Sequence, residues 1–291
     1  MAIPRAFTEA GMVFAVAYVT AQVSRPAILL LALGRHQFRR LKLRMLVTFS
    51  ATGVLWITGA LLPTGTRVGL WASALALEYL AARAGWPVPG LGGSTISRWD
   101  IAGEHLAERY QQFFLVALGE TILVIGLAYS TGSYDPAPTA AFAVAVVTSV
   151  LLWRIYVQRA GLILAEAVTR SRRPAADTHL VMVVGLVATA IGYELTISHP
   201  LRHPETAWVA MIIGGPVVFL AGRARFEYEV FGRVPPSRWV AVGVLLVPVP
   251  WLVHAPPLIS ATLAAVVLGG VAVADARRSR GKPPEGAAPP M

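Results

Sequence analysis

Apolar runs of membrane length recur along this chain, and they constrain its fold more than any other feature. In order they fall at about 7–33, 45–62, 68–82, 105–129, 139–157, 179–197, 207–221, 239–253 and 258–274, against the roughly 20 residues that a helix needs to cross hydrocarbon. Within lipid every backbone N–H and C=O must be satisfied inside its own segment, so such runs form helices. The expectation is an all-α, polytopic integral membrane bundle of about nine transmembrane helices. It would occupy residues 1–275 as one bundle in contact with the lipid bilayer, and 276–291, rich in Arg, Pro and Gly, would be a disordered basic tail.

Composition supports a membrane protein and narrows the rest. Hydrophobic residues make up 56% and charged residues 14% of the chain, too few charges to solvate a globular surface. A net charge of +10 would suit nucleic acid, but the basic residues are dealt into the connections between apolar runs, as in Arg35–Arg44 and Arg223–Arg238, so no nucleic acid partner is expected. Of 25 Lys and Arg, all but Arg5, Arg25, Arg67 and Arg202 fall on one set of alternate connections or the tail. By the positive-inside rule that side is cytoplasmic, which places a multi-pass chain in the cell membrane with its C-terminus inside and its N-terminus outside. No cleavable signal peptide is evident. An outside start with MAIPRAF directly before a span predicts a late start or a truncated gene model. The absence of cysteine excludes thiolate metal sites and cysteine nucleophiles.

Charge enters one apolar run directly, in HLAERYQQFFLVALGETIL, His105 to Leu123. At 100° per residue His105, Glu108, Arg109, Gln112 and Glu120 share about a third of the helix circumference. Glu120 lies about 12 Å beyond Gln112 along the axis, within the hydrocarbon. A charge there costs about 2.5 kcal/mol or more, so it is expected to be protonated, paired or turned to an interior. His179 and Glu194, 15 residues apart, project within about 60° of each other on a second helix. Two readings follow. Glu120 and Glu194 face one interior cavity and, with His105 and His179 at its mouth, handle protons or a small cation or solute; or the same groups form a static hydrogen-bonded seam that fixes helix register. Glu108 and Arg109 act as interface anchors or join that site. Arg25, inside the first run, either snorkels to the following basic loop or pairs with Glu120 or Glu194.

Other candidates are thinner. His199 and His203 stand four apart but beside Pro200 and Pro204, with no third ligand, so no metal site is expected. Trp56, Trp71, Trp86, Trp99, Trp153, Trp208, Trp239 and Trp251 read as an aromatic belt. The piece GLILAEAV suits an interfacial helix, and Ser97 or Asp100 suits a helix cap. No nucleophile–base pair, P-loop, dinucleotide fingerprint or H-E-x-x-H motif occurs, so neither an enzyme nor a cofactor is expected.

Several of these pieces together resemble the bacterial low temperature requirement A family of membrane proteins, over most of the chain. The resemblance rests on H-x-x-E-R then L-G-E (His105, Glu108, Arg109, Leu118, Gly119, Glu120), and on H-L…G…G-x-E-L ending in H-P (His179, Leu180, Gly185, Gly192, Glu194, Leu195, His199, Pro200). A third piece is Gly214-Gly215…Phe219-Leu220 followed by Arg225-Phe226. The family's W-W-x-Y-F-D pattern is kept only at Trp153 and Tyr156, with Arg154, Val157 and Gln158 in place of Trp, Phe and Asp. The resemblance implies that about three N-terminal spans are missing. It also implies a role in growth in the cold, without a settled activity, and hence a stress-adaptation role as the alternative to transport.

Overall fold

The computed structural model describes residues 7, 9–32, 38–93, 103–157 and 172–280. The piece GLILAEAV, the caps at Ser97 and Asp100, Trp99 and the tail beyond Arg280 lie outside them. Secondary structure among the described residues is helical, apart from an isolated bridge between Val88 and Gly92. The helices are α1 (Gly11–Ala32), α2 (Arg39–Leu61), α3 (Thr64–Arg83), α4 (Gly103–Ser130), α5 (Pro136–Val157), α6 (Arg172–Ser198), α7 (Thr206–Phe231), α8 (Pro236–Leu246), α9 (Val249–Leu252) and α10 (Pro257–Ser279).

Eight of the nine expected spans each fall on one of these helices and the other on two, and seven helices are long and apolar enough to cross a membrane. The third and eighth spans are the exceptions. The third, α3, carries Arg67 and Glu78, both buried. The eighth is broken into α8 and α9 at Val247–Pro248, where Pro248 and Pro250 cannot donate the helical hydrogen bond. Two stretches expected as basic loops are helical instead: α2 already begins at Arg39, and α7 continues from Arg223 to Phe231. It ends on Gly232, whose φ of 65° lets its N–H reach the Tyr228 carbonyl at 2.8 Å, a left-handed cap. The expected tail is likewise helical as far as Ser279.

Where one bundle is expected, the chain divides into two compact units, Met1–Asp100 and Ile101–Met291. The first is a meander, α1 on α2 and α2 on α3. In the second, α6 lies centrally against α4, α5, α7 and α10. Its tightest pair is α6 with α7. A Cβ on Gly185 would stand 2.4 Å from the Phe219 backbone nitrogen, on Gly192 2.8 Å from Ile212 Cα, and on Gly215 2.5 Å from the Thr189 backbone. Glycines seven residues apart therefore repeat along a seam where the two backbones touch, which is how membrane helices gain dispersion contact when lipid offers no hydrophobic drive.

Candidate functional site

The stripe on α4 points away from its own unit. The buried residues of this helix are Phe114, Leu118, Thr121 and Ile125. At 100° per residue they centre on the side opposite Glu108, Arg109, Gln112 and Glu120, all of which are exposed. Glu120 stands among exposed Phe113, Val116, Leu123 and Leu127. It lies mid-span, about 18 Å from Glu108 and about 15 Å from Ser130. Glu194 is exposed too, at the margin of the buried face of α6 and only about 6 Å from Ser198, the end of that helix. Unit 2 thus does not enclose the two carboxylates in one interior cavity, and neither forms a hydrogen bond or ion pair among the described residues. Glu108 accepts from Gln112 Nε2 at 3.3 Å. Arg25 is exposed on α1, and His105 lies on α4 with its side chain outside the described part.

His179 is the sequence candidate that the fold does bury, at 3% exposure. It lies near the start of α6 in a box of rings: Tyr110 stacks on it at 4.9 Å between centroids, and Tyr156 and Phe226 meet it edge-on at 5.8 and 5.5 Å. Tyr156 in turn stacks on Phe114 at 3.6 Å. Its buried hydroxyl has no hydrogen-bond partner among the described residues.

At this same end of unit 2, four charged side chains come together from three helices. Arg238 of α8 grips Glu227 of α7 with two bonds, Nη2 to Oε1 at 2.7 Å and Nε to Oε2 at 3.1 Å, and reaches Asp275 of α10 at 2.6 Å. Arg223 lies one turn before Glu227, 3.3 Å from its Oε1, with its guanidinium 5.5 Å from the Phe226 ring centroid. All four residues are buried. Two guanidinium ions balance two carboxylates, and the fork geometry of Arg238 matches them bidentately, the arrangement that offsets the desolvation of buried ions. Their place between two apolar runs makes Arg223 and Arg238 look like loop charges. The missed signal is the spacing Arg223-x-x-x-Glu227, one helical turn, ahead of a helix opening with Pro235-Pro236.

Unit 1 holds a second polar centre, also unforeseen. Glu78 of α3 is 7% exposed. Its Oε1 accepts from Thr52 Oγ1 at 2.8 Å and Trp56 Nε1 at 3.2 Å, and its Oε2 accepts from the Tyr18 hydroxyl at 2.8 Å, itself an acceptor from Gln22 Nε2 at 3.2 Å. No basic group pairs with it among the described residues. The rings around it correct the belt reading for Trp56 and Trp71: both are 3% exposed, packed with Phe14 and Tyr18, and Trp71 Nε1 donates to the Trp56 carbonyl at 2.9 Å. Trp86 is also buried, edge-on to Phe49 at 5.0 Å. Trp153, Trp239 and Trp251 are exposed, as a belt requires. Nearby, Arg67 donates to the carbonyls of Gly59, Ala60 and Leu62, satisfying the end of α2. No group of three or more His, Cys, Asp or Glu suited to a metal occurs among the described residues.

Comparison with known proteins gives a consistent result. The family model described as bacterial low temperature requirement A protein matches residues 1–273. An uncharacterized protein of Rhizobium meliloti (strain 1021) is 34% identical over 233 residues, 76% of this chain and 56% of that protein. The chain thus spans little more than half the length of this relative. No solved structure matches.

Proposed function

The chain belongs to the bacterial low temperature requirement A family of multi-pass membrane proteins, and from that premise we propose that it handles protons, or a small ion coupled to them, through buried titratable groups and without enzymatic chemistry. The observation that carries the reading is Glu78. A carboxylate inside a membrane-embedded helical unit is expensive, and this one is held by three neutral donors instead of a cation. Two of those donors are hydroxyls, which can turn from donating to accepting. Glu78 therefore keeps partners whether or not it carries a proton.

His179 is the counterpart in unit 2, beside the unpartnered Tyr156 hydroxyl. The weight moves from Glu120 and Glu194, on the outer surface, to Glu78 and His179. The bias of basic residues puts the His179 end and the C-terminus of α10 on the cytoplasmic side. Labelling of Gln37→Cys by an impermeant reagent from outside intact cells would overturn that orientation.

A static role is the rival, and one observation favours it: Arg238 engages both Glu227 and Asp275 in short bonds, as a clamp that fixes packing would. The readings separate in proteoliposomes containing the full chain, with internal pH followed under an imposed proton or cation gradient. Transport predicts a flux above empty vesicles that falls about tenfold or more in Glu78→Gln and His179→Gln, as expected when a positioned proton-transfer group is lost. A wild type that moves nothing, or two variants that match it, leaves the structural and stress-adaptation reading in place.

A further inference from the structure

The first turns of α2 carry a feature that the charge bias does not account for and proton handling does not use. Arg39, Arg40, Lys42 and Arg44 lie within the first six residues of this helix, whose first turn has no acidic residue and whose N-cap, Phe38, supplies no side-chain hydrogen bond. Among the described residues no acidic side chain of this turn answers the positive end of the helix dipole. Arg44 is 4% exposed, its Nε has no hydrogen-bond partner, and none of the four bases forms an ion pair among the described residues. Lys42 Nζ makes only a 3.9 Å approach to the Met45 sulfur.

These facts are costly unless something answers them. A buried guanidinium nitrogen without a partner, here Arg44 Nε, costs the fold the desolvation of that group. Arg40 and Arg44, one turn apart, also repel each other. Side chains on a helix lean towards its N-terminus, so Arg44 is directed towards the turn that carries Arg40. Leu41, about 60° around the helix from Arg44, packs with Phe49 and Trp86 in an apolar cluster. The apolar part of α2 starts at Met45, which puts this turn at headgroup depth.

We propose that the N-terminal turn of α2 is a binding site for a phosphate group, with Arg44 as its buried anchor and Arg39 and Arg40 at its rim. Depth favours the phosphodiester of an anionic lipid headgroup as the source, where bases next to a membrane helix meet the negative surface. Guanidinium matches phosphate through two parallel N–H···O bonds, which an ammonium cannot supply.

The test uses the full chain purified in a neutral detergent, with native mass spectrometry reading bound species during titration. Phosphatidylglycerol, phosphatidylcholine and inorganic phosphate are the three probes. The expected result is retention of phosphatidylglycerol over phosphatidylcholine, with affinity falling about tenfold or more in Arg44→Gln and less in Arg39→Gln, as loss of one buried charge-assisted pair predicts. Arg44→Lys, which keeps the charge and the fold, should recover only part. If inorganic phosphate binds with the same dependence on Arg44 and lipid does not, the phosphate site stands with a soluble source. No preference for either anionic probe in wild type, or equal affinities in wild type, Arg44→Gln and Arg44→Lys, overturns the proposal.

Discussion

The two units bury charge by opposite means. In unit 1 a single carboxylate, Glu78, is met by the hydroxyls of Tyr18 and Thr52 and the indole of Trp56. In unit 2 Glu227 and Asp275 are met by Arg238, with Arg223 beside Glu227. An ion cluster is all or nothing, because each member exists to neutralise another and removing one strands a charge. A carboxylate among neutral donors is conditional, since its hydroxyl partners can follow a change in its protonation. Fixed packing suits the ion cluster, whereas the hydroxyl partners of Glu78 can reorient, so the two units should respond differently to loss of a charge.

The largest effect that tests this contrast is at Arg238. Replacement by Met should lower the stability of the detergent-solubilised chain by about 3–5 kcal/mol, because Asp275 loses its bonded cation and Glu227 is left with Arg223 alone. Chemical unfolding followed by near-ultraviolet circular dichroism measures it. Replacing Arg223, Glu227, Arg238 and Asp275 together by apolar residues of similar volume should recover most of that loss. A fourfold variant less stable than Arg238→Met would mean that the cluster does more than neutralise itself.

Next in size is the glycine seam of unit 2, which does not depend on charge. Gly185→Val puts side-chain atoms where Phe219 and Gly215 backbone already lie within 3 Å. Overpacking against backbone should cost about 1–3 kcal/mol, read in the same unfolding assay. Gly214→Ala meets nothing within 4 Å and should be close to neutral, which makes it the matched control.

In unit 1 the corresponding change is smaller. Glu78→Gln keeps an acceptor for Thr52 and Trp56 or for Tyr18, though not for all three, and should cost about 1 kcal/mol. Glu78→Leu strands the Trp56 indole N–H and the Tyr18 hydroxyl together and should cost about twice that. If Glu78→Gln were as damaging as Arg238→Met, Glu78 would have to be held as a fixed charge, and the contrast between the units would fail.

How far the chain could be read from its sequence follows the same divide. Apolar runs of membrane length announce helices because the backbone must be satisfied in lipid, so the order of the long described helices was legible. Pairing across helices was not. Glu78 is one acid in an otherwise unremarked run, and only the fold brings Tyr18, Thr52 and Trp56 to it from two other helices. Arg223 and Arg238 look like loop charges until Asp275, 37 residues beyond Arg238, is placed beside them. Glu108, Arg109, Gln112 and Glu120 lie together on the exposed side of α4. The direction of this stripe was misjudged because periodicity says which residues share a side and not which side faces the core. Phe114, Leu118, Thr121 and Ile125 decided that, as the one face of α4 that packs within its unit.

The smallest expected effect concerns that stripe. Glu120 is exposed and makes no hydrogen bond or ion pair among the described residues, so Glu120→Gln should change detergent stability by less than about 0.5 kcal/mol. The bilayer is the sharper setting. If lipid covers the exposed stripe of Phe113, Val116, Leu123 and Leu127, removing an ionisable group from mid-span should help, because a charge there costs about 2.5 kcal/mol or more. Glu120→Leu should then be at least as resistant as wild type to denaturant in liposomes. If protein covers the stripe and bonds the carboxylate, the same change should weaken the bilayer-embedded form while leaving the detergent-solubilised monomer untouched. The sign of the difference between the two media thus reports what stands against Glu120. A loss confined to the bilayer would return this carboxylate to the company of Glu78 as a buried group.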